Sequence, residues 1–220
     1  MPAMLFGSIS TIADTSELQR KAFNDAFEQH GLDWRWDRDE YRALLQSSGG
    51  SDRVAEYARS KGAEVDADAI HRTKSELFRE RLADGATLRP GVAEAVQEAK
   101  DKGYQIAFVT TTAAENVSAL LAGLDELGED DFDLIANRDD EPSPKPDGAI
   151  YKFAWETLGT TADECVAIED NLGGVQAASA AGVRCIAFPN ENTADHDFAE
   201  AERRVDRLEF SDVQSLAAVA

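Results

Sequence analysis

The sequence predicts an α/β fold, a parallel sheet covered by helices on both faces and interrupted by an all-helical insertion. Three observations predict it. Residues 3–9 form an apolar run short enough for a buried strand. From Leu88 onward, short apolar runs alternate with helix-length segments, the rhythm of a parallel sheet. Between residues 15 and 85 only helical periodicity occurs.

The elements follow in order. After strand 3–9, Ser16 with Gln19 three residues on forms a capping box. Leu18, Ala22, Phe23, Ala26 and Phe27 then recur at helical spacing, and Gly31 supplies a C-terminal stop. Helical patterns continue over 51–61 (Val54, Ala55, Tyr57, Ala58) and over 66–83 (Ile70, Leu77, Phe78, Leu82). Pro90-Gly91 opens a helix to Lys102, and Gly103 leads into a strand at 104–109. The alternation then gives a helix near 114–123, a strand near 133–136 and a helix near 147–158. A strand at 165–168, a helix at 173–181 and a strand at 184–188 complete it. The first strand must join this sheet, so residues 15–85 are an insertion after it. Parallel sheets place ligands at the carboxyl ends of their strands, and an all-helical insertion at that edge is a natural lid.

At 220 residues the chain can bury one substantial core, or one core with a smaller appended unit. The formal net charge of −21 repels nucleic acid and anionic lipid, so neither is an expected partner. Any phosphate site must concentrate its few cations locally. No apolar run approaches the roughly 20 residues that cross a bilayer, and the N-terminus lacks the basic and apolar segments of a secretory signal. Cys165 and Cys185 lie in apolar runs and read as buried strand thiols. The expected compartment is the cytoplasm.

The residues that carry chemistry fall at predicted strand ends. Thr110-Thr111-Thr112 follows Gln105–Val109, where a hydroxyl and backbone N–H groups can meet a phosphate oxygen. Lys145 stands between Pro144 and Pro146, which restrict the backbone and hold the side chain in one direction. Glu169-Asp170 ends an apolar strand and precedes the small-residue helix GGVQAASAAG, a placement suited to a hard cation. Each signal alone is weak; a Thr-rich turn, a solvated Lys and an acidic helix cap are all common.

Together, in this order and spacing, they resemble the haloacid dehalogenase (HAD) phosphohydrolase superfamily. The resemblance covers the whole chain. It is nearest to the branch with a helical cap after the first strand, which contains phosphoglycolate phosphatase and β-phosphoglucomutase. Within that branch the local strings resemble the CbbY-type sugar-bisphosphate phosphatases. They are Ser48-Gly49-Gly50-Ser51-Asp52-Arg53, His71-Arg72-Thr73-Lys74, Leu88-Arg89-Pro90-Gly91-Val92, and Ala107–Thr112 with Glu115-Asn116-Val117. The resemblance implies a Rossmann-like core of residues 1–15 and 86–220 and a helical cap of 16–85. It implies phosphate binding by Thr110, Thr111 and Lys145, substrate contacts from Arg53 and Lys74 in the cap, and Mg²⁺ binding by Asp170 and Glu169. The expected partner is a small phosphorylated metabolite, a sugar phosphate or bisphosphate.

One part of the family pattern is missing. The first thirteen residues hold no carboxylate, in a chain with 43 Asp and Glu. The family opens with Asp-x-Asp-Gly-Thr; the matching stretch here is Gly7-Ser8-Ile9-Ser10-Thr11. In the family the first aspartate attacks phosphorus and ligates Mg²⁺, and the second acts as acid and base. With 3–9 extended, Gly7 and Ile9 face the site and Ser8 points away. Asp14 lies beyond the motif, and a register shift to use it would break the strand alignment. Phosphate binding does not need the lost groups, Mg²⁺ affinity is weakened by the loss of one carboxylate ligand, and acid–base catalysis, worth roughly 10²–10⁴-fold, is lost. Two readings follow: a pseudophosphatase that binds a phosphorylated sugar or a partner, and an active Mg²⁺-dependent hydrolase or mutase that uses a compensating group.

Overall fold

A computed structural model describes residues 1–46 and 49–217. The chain runs β1 (Ala3–Phe6), a helical turn α1 (Ile9–Ile12), α2 (Ser16–Gln29), α3 (Arg38–Leu44), α4 (Gly50–Lys61), α5 (Ala67–Leu82) and α6 (Val92–Asp101). Then come β2 (Gln105–Val109), α7 (Ala114–Ala122), β3 (Leu134–Ala136), α8 (Ala149–Thr157), β4 (Cys165–Glu169), α9 (Leu172–Ala180), β5 (Arg184–Ala187), β6 (Arg203–Arg204) and α10 (Phe210–Leu216). The strands form one sheet in the order β3-β2-β1-β4-β5-β6, with every neighbour parallel. This is the Rossmann-like α/β architecture that the strand–helix alternation predicts.

Side-chain alternation along the strands builds two cores. Met4, Phe6, Ile106, Phe108, Val166 and Ile168 face α6, α7 and α10. Ala3, Leu5, Ala107, Val109, Cys165 and Ala167 face α8 and α9. The second set is smaller in volume. Cys165 and Cys185 are buried and unpaired, and burial pushes the Cys165 thiol up to about 12. The register sets Phe6 beside Phe108 and Ile168, so the carboxyl ends of β1, β2 and β4 lie side by side.

The first strand is shorter than the sequence reading. It stops at Phe6, and Ile9 belongs to α1 rather than to an extended 3–9. The cause is local: the Thr11 hydroxyl donates to the Ser8 carbonyl at 2.6 Å and the Ser8 N–H donates to Thr11 Oγ1 at 3.4 Å, closing a helical turn. Thr15, rather than Ser16, is the residue before α2, and Gly31 takes φ 70° just beyond its end, as the stop signal required. Neither α3, β6 nor α10 was expected. α3 buries only Tyr41 of its seven residues, and β6 is two exposed arginines, so neither shows a hydrophobic period.

Among the described residues, 16–82 contain helices and turns and no strand. They have their own apolar cluster, centred on Trp36, whose ring lies 4.9 Å from Phe23, 4.7 Å from Phe27 and 5.4 Å from Tyr57. The chain leaves and re-enters the sheet side by side: Ala13 bridges Leu88, and the Arg89 N–H donates to Ile12 O at 2.9 Å. The buried Arg89 guanidinium donates to the carbonyls of Ser10, Phe188 and Pro189 and lies 3.4 Å from the Phe188 ring centroid, which fixes both crossings to the sheet. No helix among the described residues is long and apolar enough to cross a membrane.

Candidate functional site

The carboxyl ends of β1, β2 and β4 open into a cavity of about 650 Å³, closed on the far side by residues of α2, α4 and α5. Thr110, Thr111, Lys145 and Asp170 line it from the sheet side, and Arg53 and Lys74 from the helical side. Ser48, the first residue of one quoted string, lies outside the described residues. Among the described residues, six Lys or Arg and five Asp or Glu side chains line the cavity, against 22 and 43 in the whole chain, so its wall is enriched in cations.

Gly7 follows β1 directly. Its N–H donates to Ile168 O at 2.9 Å, and its carbonyl accepts from Lys145 Nζ. It continues the parity of Ala3 and Leu5, toward α8 and α9. Glu169 continues the parity of Cys165 and Ala167 onto the same face, beside it. A Cβ on Gly7 would lie closer than 3.0 Å to both Glu169 Oε1 and the Tyr151 hydroxyl. Ile9 lines the cavity from α1 and is otherwise part of the core. Ser8, expected to point away, instead donates its hydroxyl to Asp170 Oδ1 at 2.6 Å. The helical turn that ends β1 breaks strand alternation after Gly7 and brings Ser8 round.

Thr110 is buried at the end of β2. Its N–H donates to Ala136 O at 2.9 Å and its Oγ1 accepts from the Thr112 N–H at 3.2 Å, so the turn carrying Thr111 is pinned at both sides. Lys145 reaches the cavity wall with its ammonium already engaged. Nζ donates to Gly7 O, to Val109 O at 3.1 Å and to Glu169 Oε1 at 2.5 Å, matching its three protons. Lys145 thus lines the cavity as expected, with its ammonium paired to Glu169.

Glu169 is completely buried and is not part of the cavity wall. Besides Lys145 it accepts from the Tyr151 hydroxyl at 2.7 Å. Burial raises its pKa, and the neighbouring Asp170 adds to this, against the pull of Lys145. Asp170 does face the cavity, but its oxygens accept from Ser8, from Asn171 Nδ2 at 2.9 Å and from Asn190 Nδ2 at 2.9 Å.

On the helical side Arg53 is buried, with Nε donating to Leu44 O at 2.9 Å. Lys74 donates to Gln19 Oε1 at 3.1 Å and sits 4.9 Å from the ring centroids of both Phe23 and Phe78. Burial, then the charge of Arg53, lowers the Lys74 pKa to about 7. His71, on the same face of α5, is held neutral by burial and by Lys74, its pKa lowered to about 4. Sequence reasoning did not single out Arg79, Arg138 or Ser8. Arg79 donates to Asn116 Oδ1 at 3.0 Å and lines the cavity with Arg72 and Arg138. The helical spacing of His71, Lys74 and Phe78, flanked by Arg72, Glu76 and Arg79, carried a signal for Arg79.

The donor set does not fit Mg²⁺. Mg²⁺ takes one or two free carboxylates together with waters and substrate phosphates; of the expected pair only Asp170 faces the cavity, with three donors already on its oxygens, and no group of three or more His, Cys, Asp or Glu gathers among the described residues. Glu169 Oε2 has no partner, but it is turned against Gly174, where a Cβ would itself lie closer than 3.0 Å. Asp170 and Glu169, expected to hold the metal, are thus committed to protein donors or enclosed.

Comparison with known proteins gives the following. The family model for haloacid dehalogenase-like hydrolases matches residues 10–188, starting just past Gly7 and Ile9. Protein CbbY of Cereibacter sphaeroides is 42% identical over 220 residues, covering 98% of this chain and 95% of that protein. A crystal structure of CbbY from Rhodobacter sphaeroides in complex with phosphate superposes with a TM-score of 0.86 at 41% identity, over 94% of this chain and 95% of that one. A single-residue variant of CbbY in complex with xylulose 1,5-bisphosphate gives a TM-score of 0.89 at 39% identity, over 99% and 100% of the two chains.

Proposed function

The chain belongs to the haloacid dehalogenase-like hydrolases, a family of phosphatases, and from that premise we propose that it binds a phosphorylated sugar without hydrolysing it. Residues 16–85 act as a cap over a core of 1–15 and 86–220, and the ligand sits between them. The observation that carries this reading is the cavity wall. It keeps Arg53, Lys74 and the Thr110–Thr112 turn, and it presents no carboxylate at position 7 or 9. The Arg79 and Arg138 guanidinium groups suit phosphate oxygens, because a planar fork makes paired, charge-assisted bonds. The relatives with phosphate and xylulose 1,5-bisphosphate bound make a phosphorylated sugar the first ligand to test.

A second reading rests on one contact. The Ser8 hydroxyl, 2.6 Å from Asp170 Oδ1, is a nucleophile beside a base, and would compensate for the missing aspartate. The Ser8→Ala variant separates the two readings: turnover by the natural chain that Ser8→Ala abolishes would establish the second.

Calorimetry with xylulose 1,5-bisphosphate and with unphosphorylated xylulose tests the first reading. Binding of the phosphorylated sugar alone is expected. Its affinity should fall as pH rises above 7, by up to about tenfold per unit. Below pH 7 Lys74 is already cationic; above it, contact with an anion raises the Lys74 pKa again, so binding must take up a proton. Lys74→Met should weaken binding at pH 6.5 and flatten the profile between pH 7 and 9, where sugar phosphates are fully ionised, their second pKa being about 6. Equal binding of xylulose, or a profile unchanged by Lys74→Met, would contradict the proposed contacts.

A further inference from the structure

Gly7 leaves a space under the cavity floor, and that space is filled. The Glu169 carboxyl group is clasped between two glycines: a Cβ on Gly7 or on Gly174 would lie closer than 3.0 Å to it. Hydrogen bonds hold it there, from Lys145 Nζ at 2.5 Å and from the Tyr151 hydroxyl at 2.7 Å. Glu169 is 0% exposed and Lys145, at the cavity wall, 6%, so the pair has little contact with water and is only weakly screened. A lysine whose carboxylate partner is already inside the protein needs no further anion at position 7. The floor's remaining carboxylate, Asp170, is hydrogen-bonded to Ser8, Asn171 and Asn190, and the described residues hold no acid cluster for a cation to bridge.

We propose that Glu169 is a resident counter-ion standing in the place of the side chain Gly7 lacks, and that anion binding in this cavity is consequently independent of divalent cations. The inference rests on the reading of the cavity as a phosphate-binding site. Its chemistry differs from a metal-bridged phosphate site: the anion meets Lys74, Arg79, Arg138 and the N–H groups of the Thr110 turn directly, while the Lys145 charge is neutralised beneath it. Breaking the internal pair should therefore strengthen anion binding. Glu169→Gln keeps the shape of the side chain but leaves the Lys145 ammonium uncompensated at the cavity wall.

Three measurements on the full chain, stripped with EDTA and held in high salt to suppress binding to the acidic surface, test this. In the first, Mn²⁺ is titrated by electron paramagnetic resonance into the natural protein and into Asp170→Asn. The two curves should coincide, and a stoichiometric ion bound by the natural chain and lost in Asp170→Asn would overturn the proposal. In the second, inorganic phosphate is titrated by calorimetry with EDTA and with Mg²⁺. The dissociation constants should agree within about twofold, and a tenfold tightening by Mg²⁺, about 1.4 kcal/mol, would overturn it. In the third, Glu169→Gln should bind phosphate about tenfold more tightly, a gain that a merely structural role would not produce; unchanged or weaker binding by a folded variant would remove the counter-ion role. Should phosphate fail to bind under every condition, the phosphate-site reading falls, and the Mn²⁺ titration still decides the metal question. Should Glu169→Gln not fold, the first two measurements decide alone.

Discussion

Incubated with Mg²⁺ and either sugar monophosphates or xylulose 1,5-bisphosphate, the natural chain is expected to release no inorganic phosphate above the buffer rate. The expectation follows from groups that are absent and from the state of those that remain. Covalent phosphoryl transfer needs a nucleophile poised at the cavity floor, and the residue there is Gly7. Protonation of the leaving oxygen needs an acid two residues on, and Ile9 has none. Removing the entire catalytic triad of a serine protease costs on the order of 10⁶ in turnover, the scale of loss expected when a whole catalytic unit is missing. Of the acids that line the cavity, Asp68 accepts from the Ser51 hydroxyl at 2.5 Å and Asp170 is engaged by three donors. A colorimetric phosphate assay over a panel of sugar phosphates checks the result, with Ser8→Ala run alongside.

Restoring the first acid should not be benign. Gly7→Asp places a Cβ against Glu169 Oε1 and the Tyr151 hydroxyl, and a second carboxylate beside a buried first one. Overpacking of this kind costs roughly 1–3 kcal/mol, and the like-charge contact adds to it. For a chain of this length each kcal/mol lowers Tm by roughly 2–4 °C, so a loss of about 10 °C is expected. Adding Glu169→Ala removes the carboxylate half of the conflict and should recover part of the loss, since the Tyr151 contact remains. Differential scanning calorimetry of the natural chain, Gly7→Asp and the double variant measures both effects. A Gly7→Asp protein with unchanged Tm would show that Glu169 leaves the space at little cost.

Much of this was legible in the sequence, for identifiable reasons. The apolar runs at 104–109, 165–168 and 184–188 became β2, β4 and β5 with end shifts of one residue, because buried parallel strands are continuous apolar segments. Thr110 and Asp170 converge because β2 and β4 flank β1 in the sheet, as the strand-end rule predicts, and Lys145 reaches the same edge from the loop after β3. The orientation of Ser8 was not read, although Ser8 and Thr11 have the spacing of a helix cap; the apolar residues on either side made 3–9 look continuous. The role of Glu169 depends on two glycines, Gly7 and Gly174, 167 positions apart in the chain and adjacent only in the fold. No local pattern reports such a contact. Arg138 reaches the cavity from the turn after β3, where a lone arginine in sequence is indistinguishable from surface charge.

The central claim is a phosphosugar site that binds and does not turn over. Phosphorus NMR of xylulose 1,5-bisphosphate mixed with the natural chain and Mg²⁺ tests both halves in one sample. The account predicts shifted or broadened sugar-phosphate resonances that persist, with no inorganic phosphate signal growing over time. Unperturbed sugar resonances would contradict the binding site, and an inorganic phosphate signal that grows beyond the amount of protein present would contradict the loss of catalysis.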